Sequence, residues 1–344
     1  MDKKKVAFFT VALLIIGALI KWAGAKGVAE IIASSDWRYL LLAVAVYIIT
    51  LLASAIRWQV LLKGLGISVP LRIVWNAIFV GMFFNNISPG AKGLGEFIRV
   101  YYIAKETNNP YGPMTASVMM DRITDLVPIA FMMVLATLHV YHLGETLLTA
   151  IIIFLDAVMI GFSALVIGLL MSEKKAHSAI WWIFRQYRKL SKAGAEKRRE
   201  SFEKIDTVTI PNFQRDFRVL SKSRTYTLVA IGWSFVYWIL TVARYYLVFR
   251  AIGQPIDPVS ITVVLVVSMV VGMFAVIPGG AGIIEAVNTA VFMALGINPE
   301  YAVTGTILER LISYWGPTIV GSFVAADFKP DGAAEAADST EVEP

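Results

Sequence analysis

The sequence predicts an all-α integral membrane protein, a polytopic helical bundle with an inverted repeat and two re-entrant Pro-Gly hairpins. Three observations carry this expectation. Of 344 residues, 57% are apolar and only 16% charged, a composition too apolar for an ordinary soluble domain. Six segments, Val6–Trp22, Tyr39–Leu62, Met114–Val140, Leu147–Met171, Tyr226–Phe249 and Tyr301–Ala325, approach or exceed the roughly 20 residues that cross a bilayer as a helix. Finally, one glycine-punctuated pattern of apolar sequence occurs twice, with ionisable residues at matching places.

The first copy reads Arg57, Lys63, Gly66, Gly81-Met82-Phe83, Pro89-Gly90, Glu96, Arg122. The second reads Arg244, Arg250, Gly253, Gly272-Met273-Phe274, Pro278-Gly279, Glu285, Arg310. Arginine to glycine is nine residues in both, proline to glutamate seven in both, and glutamate to the second arginine 26 and 25. A unit of this length in apolar sequence points to a duplicated transporter-type core rather than a solenoid.

Taken in chain order, Val6–Trp22 follows Met1-Asp2-Lys3-Lys4-Lys5 and reads as a first span with cytoplasmic lysines; a cleavable signal peptide ending near Ala23-Gly24-Ala25 is the alternative. Tyr39–Leu62 returns to the inner face at Arg57, Lys63 and Arg72. Leu71–Ile87 then runs into Pro89-Gly90 and a shorter helical piece, Leu94–Ala104. Met114–Val140 exits and Leu147–Met171 returns. That parity holds if 71–104 enters and leaves on one side, as a re-entrant hairpin. The stretch Glu173–Lys222 carries thirteen Lys/Arg against six Asp/Glu, which assigns it to the cytoplasm. Within it, Trp181–Lys189 interleaves aromatic and basic residues, as an amphipathic helix on an anionic leaflet would; a purely topological role is the plainer reading. Tyr226–Phe249 exits, Val259–Ile277 opens the second hairpin with Gly282–Leu295 behind it, and Tyr301–Ala325 returns. The two copies thus run in opposite directions. Residues 1–326 form the transmembrane unit, with repeat one at about 39–140, repeat two at about 226–325 and the basic loop at 172–224; an acidic, disordered tail fills 327–344.

Both Pro-Gly runs break helical hydrogen bonding at membrane depth, which requires a protein or water lining. The helix restarting after each break offers free N–H groups and a positive dipole end for an anion, with Lys92 reinforcing the first. The plainer reading is tight packing, with Glu96 and Glu285 capping helices. Arg122, within Asp121-Arg122-Ile123-Thr124-Asp125, and Arg310 lie deep in apolar helices, where charge is costly and normally faces a partner or cavity. Helical spacing lets Arg122 and Asp121 cluster with Asp125. Arg57 and Arg244 are the matching basic positions of the preceding spans, with snorkelling at helix ends the alternative. Glu96 and Glu285 are expected to pair with arginines in the empty site, and an anionic head group to compete for them. Asn85, Asn86 and Ser88 have apolar counterparts near Ala275–Ile277, so the first hairpin is the expected contributor to a polar pocket. Asp156, alone in its span, is expected to pack against a polar partner.

Other chemistries find no foothold. There is no cysteine, hence no disulfide or thiolate site. Histidines 139, 142 and 177 form no metal-ligand pattern, and no metalloprotease, nucleophile-elbow or phosphate-loop motif occurs. No enzyme activity, cofactor or nucleic-acid partner is expected.

The Arg57-Trp58 pair, the run Asn86-x-x-Pro-Gly-x-x-Gly-x-Gly-Glu96-x-x-Arg99, the Ser117, Asp121-Arg122, Asp125 helix, and Pro278-Gly279-Gly280-x-Gly-x-x-Glu285 with Arg310 resemble the lysylphosphatidylglycerol synthase transmembrane-region family, or flippase-like domain family. The resemblance spans about residues 5–325. Members include the membrane half of the bacterial multiple peptide resistance factor, which looks like a flippase for aminoacylated phosphatidylglycerol, and membrane portions of archaeal proteins linked to dolichol-phosphate glycosylation. The synthase's aminoacyl-transferase domain and an appended glycosyltransferase domain have no counterpart within these residues. The resemblance therefore implies translocation of a phosphate-bearing lipid between leaflets of the cell membrane, rather than synthesis. The residues singled out for binding are Arg57, Asn86, Lys92, Glu96, Arg99, Asp121, Arg122, Asp125, Arg244, Glu285 and Arg310. The expected partners are anionic membrane lipids, a second copy of the chain, or a separately encoded lipid-modifying enzyme. A small-solute or ion antiporter and a non-transporting subunit of a lipid-modifying or glycosylation system are the competing expectations.

Overall fold

The computed structural model describes residues 3–88, 93–190, 199–200, 202–203, 206–207, 210–275 and 277–326. The first Pro-Gly turn with Lys92, part of the basic loop and the acidic tail lie outside these. The described residues contain helices and no strand, as expected where lipid leaves the backbone to satisfy its own hydrogen bonds. In order they are α1 (Lys3–Ala23), α2 (Ala25–Ser34), α3 (Trp37–Gly64), α4 (Leu71–Ile87), α5 (Leu94–Thr107), α6 (Tyr111–His142), α7 (Thr146–Met171), α8 (Glu173–Leu190), α9 (Ile210–Lys222), α10 (Arg224–Ala251), α11 (Pro258–Phe274), α12 (Ile283–Ala294), α13 (Pro299–Arg310) and α14 (Gly316–Ala326).

Four of these, α3, α6, α7 and α10, are long and apolar enough to cross a membrane. A fifth crossing exists if the bent pair Thr10–Ala23 and Ala25–Ser34, which meet at 91°, counts as one. The expected sixth span is not an uninterrupted α-helix. A π turn, Leu311–Trp315, separates α13 from α14. The matching region of repeat one contains Pro128 inside α6, which removes a backbone donor. Both copies thus disturb the helix just beyond their Asp-Arg or Glu-Arg pair, and repeat two carries its own proline there, Pro317. The Trp181–Lys189 stretch lies within helix α8, and Asp156 finds its polar partner in Thr137 at 2.8 Å.

The duplication is visible in the local chemistry. Gly66 and Gly253, nine residues after Arg57 and Arg244, both adopt left-handed φ of 76° and 78° and terminate α3 and α10 with matching bonds, Ile67 N to Leu62 O and Gln254 N to Phe249 O, each 3.0 Å. This is the usual glycine solution for a helix C-terminus. A Cβ at Gly253 meets nothing within 4 Å, so Gly253→Ala isolates the backbone term. It should lower stability by about 1–2 kcal/mol in thermal unfolding of the detergent-solubilised protein. Gly17→Ala, in a helix and equally unobstructed, should be neutral or slightly stabilising.

Packing follows the same symmetry. Helices α3 and α10 form the most extensive interface and are antiparallel: Arg57 meets Ser234, Arg244 meets Tyr47, Gly64 meets Tyr226 and Arg250 meets Tyr39. Since residues 47 and 234 are equivalent in the repeats, as are 57 and 244, each contact is the mirror of another under a pseudo-two-fold. The last helix of each copy then crosses to the other copy's hairpin. Helix α14 packs on α4, and the second half of α6 packs on α11. One apolar core gathers Trp58, Leu62, Val74, Ile78, Ile103 and Val118; the other gathers Met132, Val140, Phe249, Ile261, Val264 and Phe292.

Candidate functional site

The polar residues excluded from both cores collect along the α3 and α10 interface. Arg57 is 2% exposed, which rules out snorkelling. Its Nε donates to Asp121 Oδ1 at 2.6 Å, its Nη2 to Asp125 Oδ2 at 3.1 Å, and its Nη1 to Asp125 Oδ1 and to Ser234 Oγ at 2.8 Å. Asp121 is wholly buried and also accepts from Arg99 Nη2 at 3.2 Å. The Arg99 guanidinium stacks on Trp58, 4.6 Å from the ring centre, and reaches Glu96 Oε2 at 2.6 Å. Arg122 Nη2 donates to Glu96 Oε1 at 2.9 Å. Helical spacing explains this convergence, because Asp121, Arg122 and Asp125 share one turn of α6, while Glu96 and Arg99 share one turn of α5.

Repeat two carries the same wiring. Arg244 Nη2 donates to Glu309 Oε1 at 2.7 Å, as Arg57 does to Asp121. Arg310 Nε donates to Glu285 Oε1 at 2.9 Å, as Arg122 does to Glu96. Repeat one holds one pair more: Arg99 and Asp125 correspond to Asn288 and Ser313. Asn288 is neutral, donating to Tyr245 Oη at 3.3 Å, and the Ser313 carbonyl accepts from Tyr47 Oη at 3.1 Å.

The charge-rich copy opens onto a cavity of about 200 Å³ where the repeats meet, lined by Arg57, Glu96, Arg99 and Arg122 from one copy and by Tyr237, Arg244 and Ser313 from the other, with Tyr47, Ser54 and Asn85. Four guanidiniums border it, against Glu96 as the one carboxylate among the lining residues. Arg122 is the most open of the cluster, its side chain 49% exposed. Arg99 is 4% exposed, and its Nε has no hydrogen-bond partner. An unpaired buried donor of this kind is costly and calls for a ligand atom or water.

Several expected site residues sit elsewhere. Asn86 turns from the cavity to Thr318 Oγ1, 2.7 Å away, tying α4 to α14, and its neighbour Asn85 lines the cavity instead while accepting from Gly95 N at 2.8 Å. Glu285 and Arg310 do not line it. Glu285 Oε2 accepts from Gly282 N at 2.7 Å, so the protein's own carboxylate satisfies the N-terminus of α12. Arg310 also donates to Gly279 O at 3.2 Å and lies over Tyr314, 4.2 Å from the ring centre. Tyr314, 2% exposed, donates to Asn86 O at 3.1 Å and fills the space beside Gly279. Repeat two therefore presents a closed counterpart of the site that repeat one holds open. Lys92 lies outside the described residues. Glu309, Tyr47, Ser234 and Tyr237 were absent from the residues singled out above. Glu309 was legible, since it precedes Arg310 as Asp121 precedes Arg122; the two tyrosines and the serine carry no comparable signal.

Two arginine–carboxylate pairs repeated in both copies, inside a helical bundle with apolar outer faces, define a polytopic membrane protein built by duplication. The chain belongs to the family described as the lysylphosphatidylglycerol synthase TM region, which matches residues 9–321. A UPF0104 membrane protein of Pyrococcus horikoshii is 33% identical, covering 93% of this chain and 96% of its own length. Another, of Methanothermobacter thermautotrophicus, is 26% identical over 93% and 94%. The glycosyltransferase AglD of Haloferax volcanii is 22% identical over 92% of this chain, which spans 53% of that protein.

Proposed function

We propose that this protein moves a phosphate-bearing lipid between the leaflets of the cell membrane and has no catalytic activity of its own. The observation that carries the reading is the cavity between the repeats, where four guanidiniums converge and Glu96 is the one carboxylate among the lining residues. A volume of about 200 Å³ accommodates a phosphate and its linker but not acyl chains, which stay in the bilayer. Arg57, Asp121, Asp125 and Arg244 hold the frame of the site, and Arg99 and Arg122 meet the head group. The family supports an aminoacylated phospholipid as cargo, and the glycosyltransferase named among the relatives supports a polyprenyl-phosphate-linked lipid. Helices α4 and α11, at 17 residues each, extend roughly 26 Å at 1.5 Å per residue, short of the roughly 30 Å hydrocarbon core, in keeping with re-entrant hairpins. The N-terminus and the basic loop face the cytoplasm in this reading.

The test is leaflet exchange of labelled phospholipids and polyprenyl-phosphate lipids in liposomes containing the purified protein. Exchange is expected, and Arg122→Ala should slow it roughly ten- to a hundredfold, the equivalent of one charge-assisted hydrogen bond of about 1.5–3 kcal/mol. Folded protein that exchanges none of these lipids would overturn the proposal in favour of a solute antiporter or an accessory subunit.

A further inference from the structure

The buried cluster is charge-balanced. Among the described residues it comprises Arg57, Arg99, Arg122, Arg244 and Arg310 against Glu96, Asp121, Asp125, Glu285 and Glu309, with every arginine within ion-pair distance of a carboxylate. A phosphate entering this site brings uncompensated negative charge into a low-dielectric region. It also competes with the carboxylates for their guanidiniums, and a carboxylate that loses its partner is left buried and unpaired, a costly state unless it is neutralised.

The carboxylates differ in how readily they can be neutralised. Asp121 is fully buried between Arg57 and Arg99. Asp125 holds Arg57 and also accepts from Trp238 Nε1 at 3.3 Å. Glu309 is 1% exposed behind Arg244. Glu96 alone both lines the cavity and retains a 17% exposed side chain, and it occupies Arg99 and Arg122, two of the four arginines that line the cavity. Around it stand Arg99 on its own helix, Asp121 and Arg122 on α6, Arg57 and Tyr47 on α3, and Tyr237 and Arg244 on α10; the polar lining residue from α4 is the neutral Asn85.

We infer that anion binding in this cavity is coupled to a proton: a phosphodiester anion displaces the Glu96 carboxylate from Arg99 and Arg122, and Glu96 takes up a proton as it is displaced. The inference rests on the proposed anion site and supplies its missing charge balance. One phosphodiester and one proton enter together, so the cluster remains neutral when occupied. The unpaired Arg99 Nε becomes a donor to the phosphodiester. Because binding raises the proton affinity of Glu96, affinity must fall as pH rises, by up to roughly tenfold per pH unit while Glu96 is charged in the empty site and protonated in the occupied one.

A phosphodiester carries one charge throughout pH 5.5–8, so its own titration does not obscure the result. The probes are dihexanoyl phosphatidylglycerol and the same head group without acyl chains, glycerophosphoglycerol, added to the protein in phosphatidylcholine nanodiscs in weakly buffered solution with a pH indicator. The wild type should take up about one proton per bound probe. Glu96→Gln should bind the probe with no uptake and with affinity independent of pH, whereas Glu96→Asp should retain uptake. Binding of the acylated probe alone identifies a lipid ligand; equal binding of both identifies the free head group as sufficient. Binding without proton uptake, or uptake undiminished in Glu96→Gln, overturns the coupling while leaving the anion site intact. If Glu96→Gln does not fold, a flat pH dependence of wild-type binding overturns the coupling equally. Failure of both probes to bind removes the anion site itself.

Discussion

Asp121→Ala is expected to destabilise the protein by about 3–5 kcal/mol, because it leaves two buried guanidiniums, Arg57 and Arg99, without their shared carboxylate. The side chain is fully buried and pairs with both, while Asp125 remains as partner to Arg57 and Glu96 to Arg99. Asp125→Ala strips Arg57, whose bond to Asp121 survives, together with the weaker contacts to Trp238 and Arg122, and should cost less. The measurement is thermal unfolding in detergent, followed by tryptophan fluorescence and by loss of the monodisperse peak in size-exclusion chromatography. The double variant Asp121→Ala, Arg99→Leu should recover part of the loss, since Arg57 keeps Asp125 and Glu96 keeps Arg122, so that no stranded charge is left. Equal stability of Asp121→Ala and the wild type would mean that the network contributes nothing to folding.

Gly95→Ala should be comparably damaging for a different reason. A Cβ at Gly95 falls 2.0 Å from Gly81 O and 2.5 Å from Asn85 Cγ, so α4 and α5 cannot keep their separation. At least the roughly 1–3 kcal/mol of overpacking is lost, and the Asn85 to Gly95 bond that closes the hairpin is lost with it. Because Asn85, Glu96 and Arg99 line the cavity from these two helices, residual folded protein should also be impaired in lipid exchange. Gly316→Ala, whose added Cβ meets Leu311 O at a tolerable 3.4 Å, provides the comparison and should unfold close to the wild type.

Much of this architecture was legible in the sequence, for a physical reason. Apolar length, glycine placement and charge spacing are properties of the chain itself, and they located α3, α4, α6, α7 and α10 within a few residues of where they lie. The partners of the buried charges were less accessible, because pairing is decided by three-dimensional approach. The deep acids and arginines of repeat one were recognisable, yet which carboxylate meets which guanidinium depends on antiparallel packing of α3 against α10. Asn86 and Asn85 are neighbours of the same type, and only helix rotation sends one to Thr318 and the other into the cavity. The π turn at Leu311–Trp315 is announced only by Pro317 just beyond it, and Pro128 leaves α6 without such a turn, so a proline within a span does not by itself tell which irregularity follows. The closed state of repeat two depends on Tyr314 reaching Gly279, whereas the matching position of repeat one is Leu126, a difference of side-chain reach that spacing alone does not reveal.

The reciprocal seating of Arg57 on Ser234 and of Arg244 on Tyr47 has a mechanical consequence. Two antiparallel helices can slide past one another like rails unless something keys them. Here two pegs, set about 15 Å apart along the pair and pointing in opposite directions, engage sockets on the facing rail. A slip of one helical turn, about 5.4 Å, unseats both at once, so neither can yield while its twin holds. The pair behaves as a single keyed beam running the depth of the protein, and any large displacement during a working cycle must be taken up by the parts hung from it.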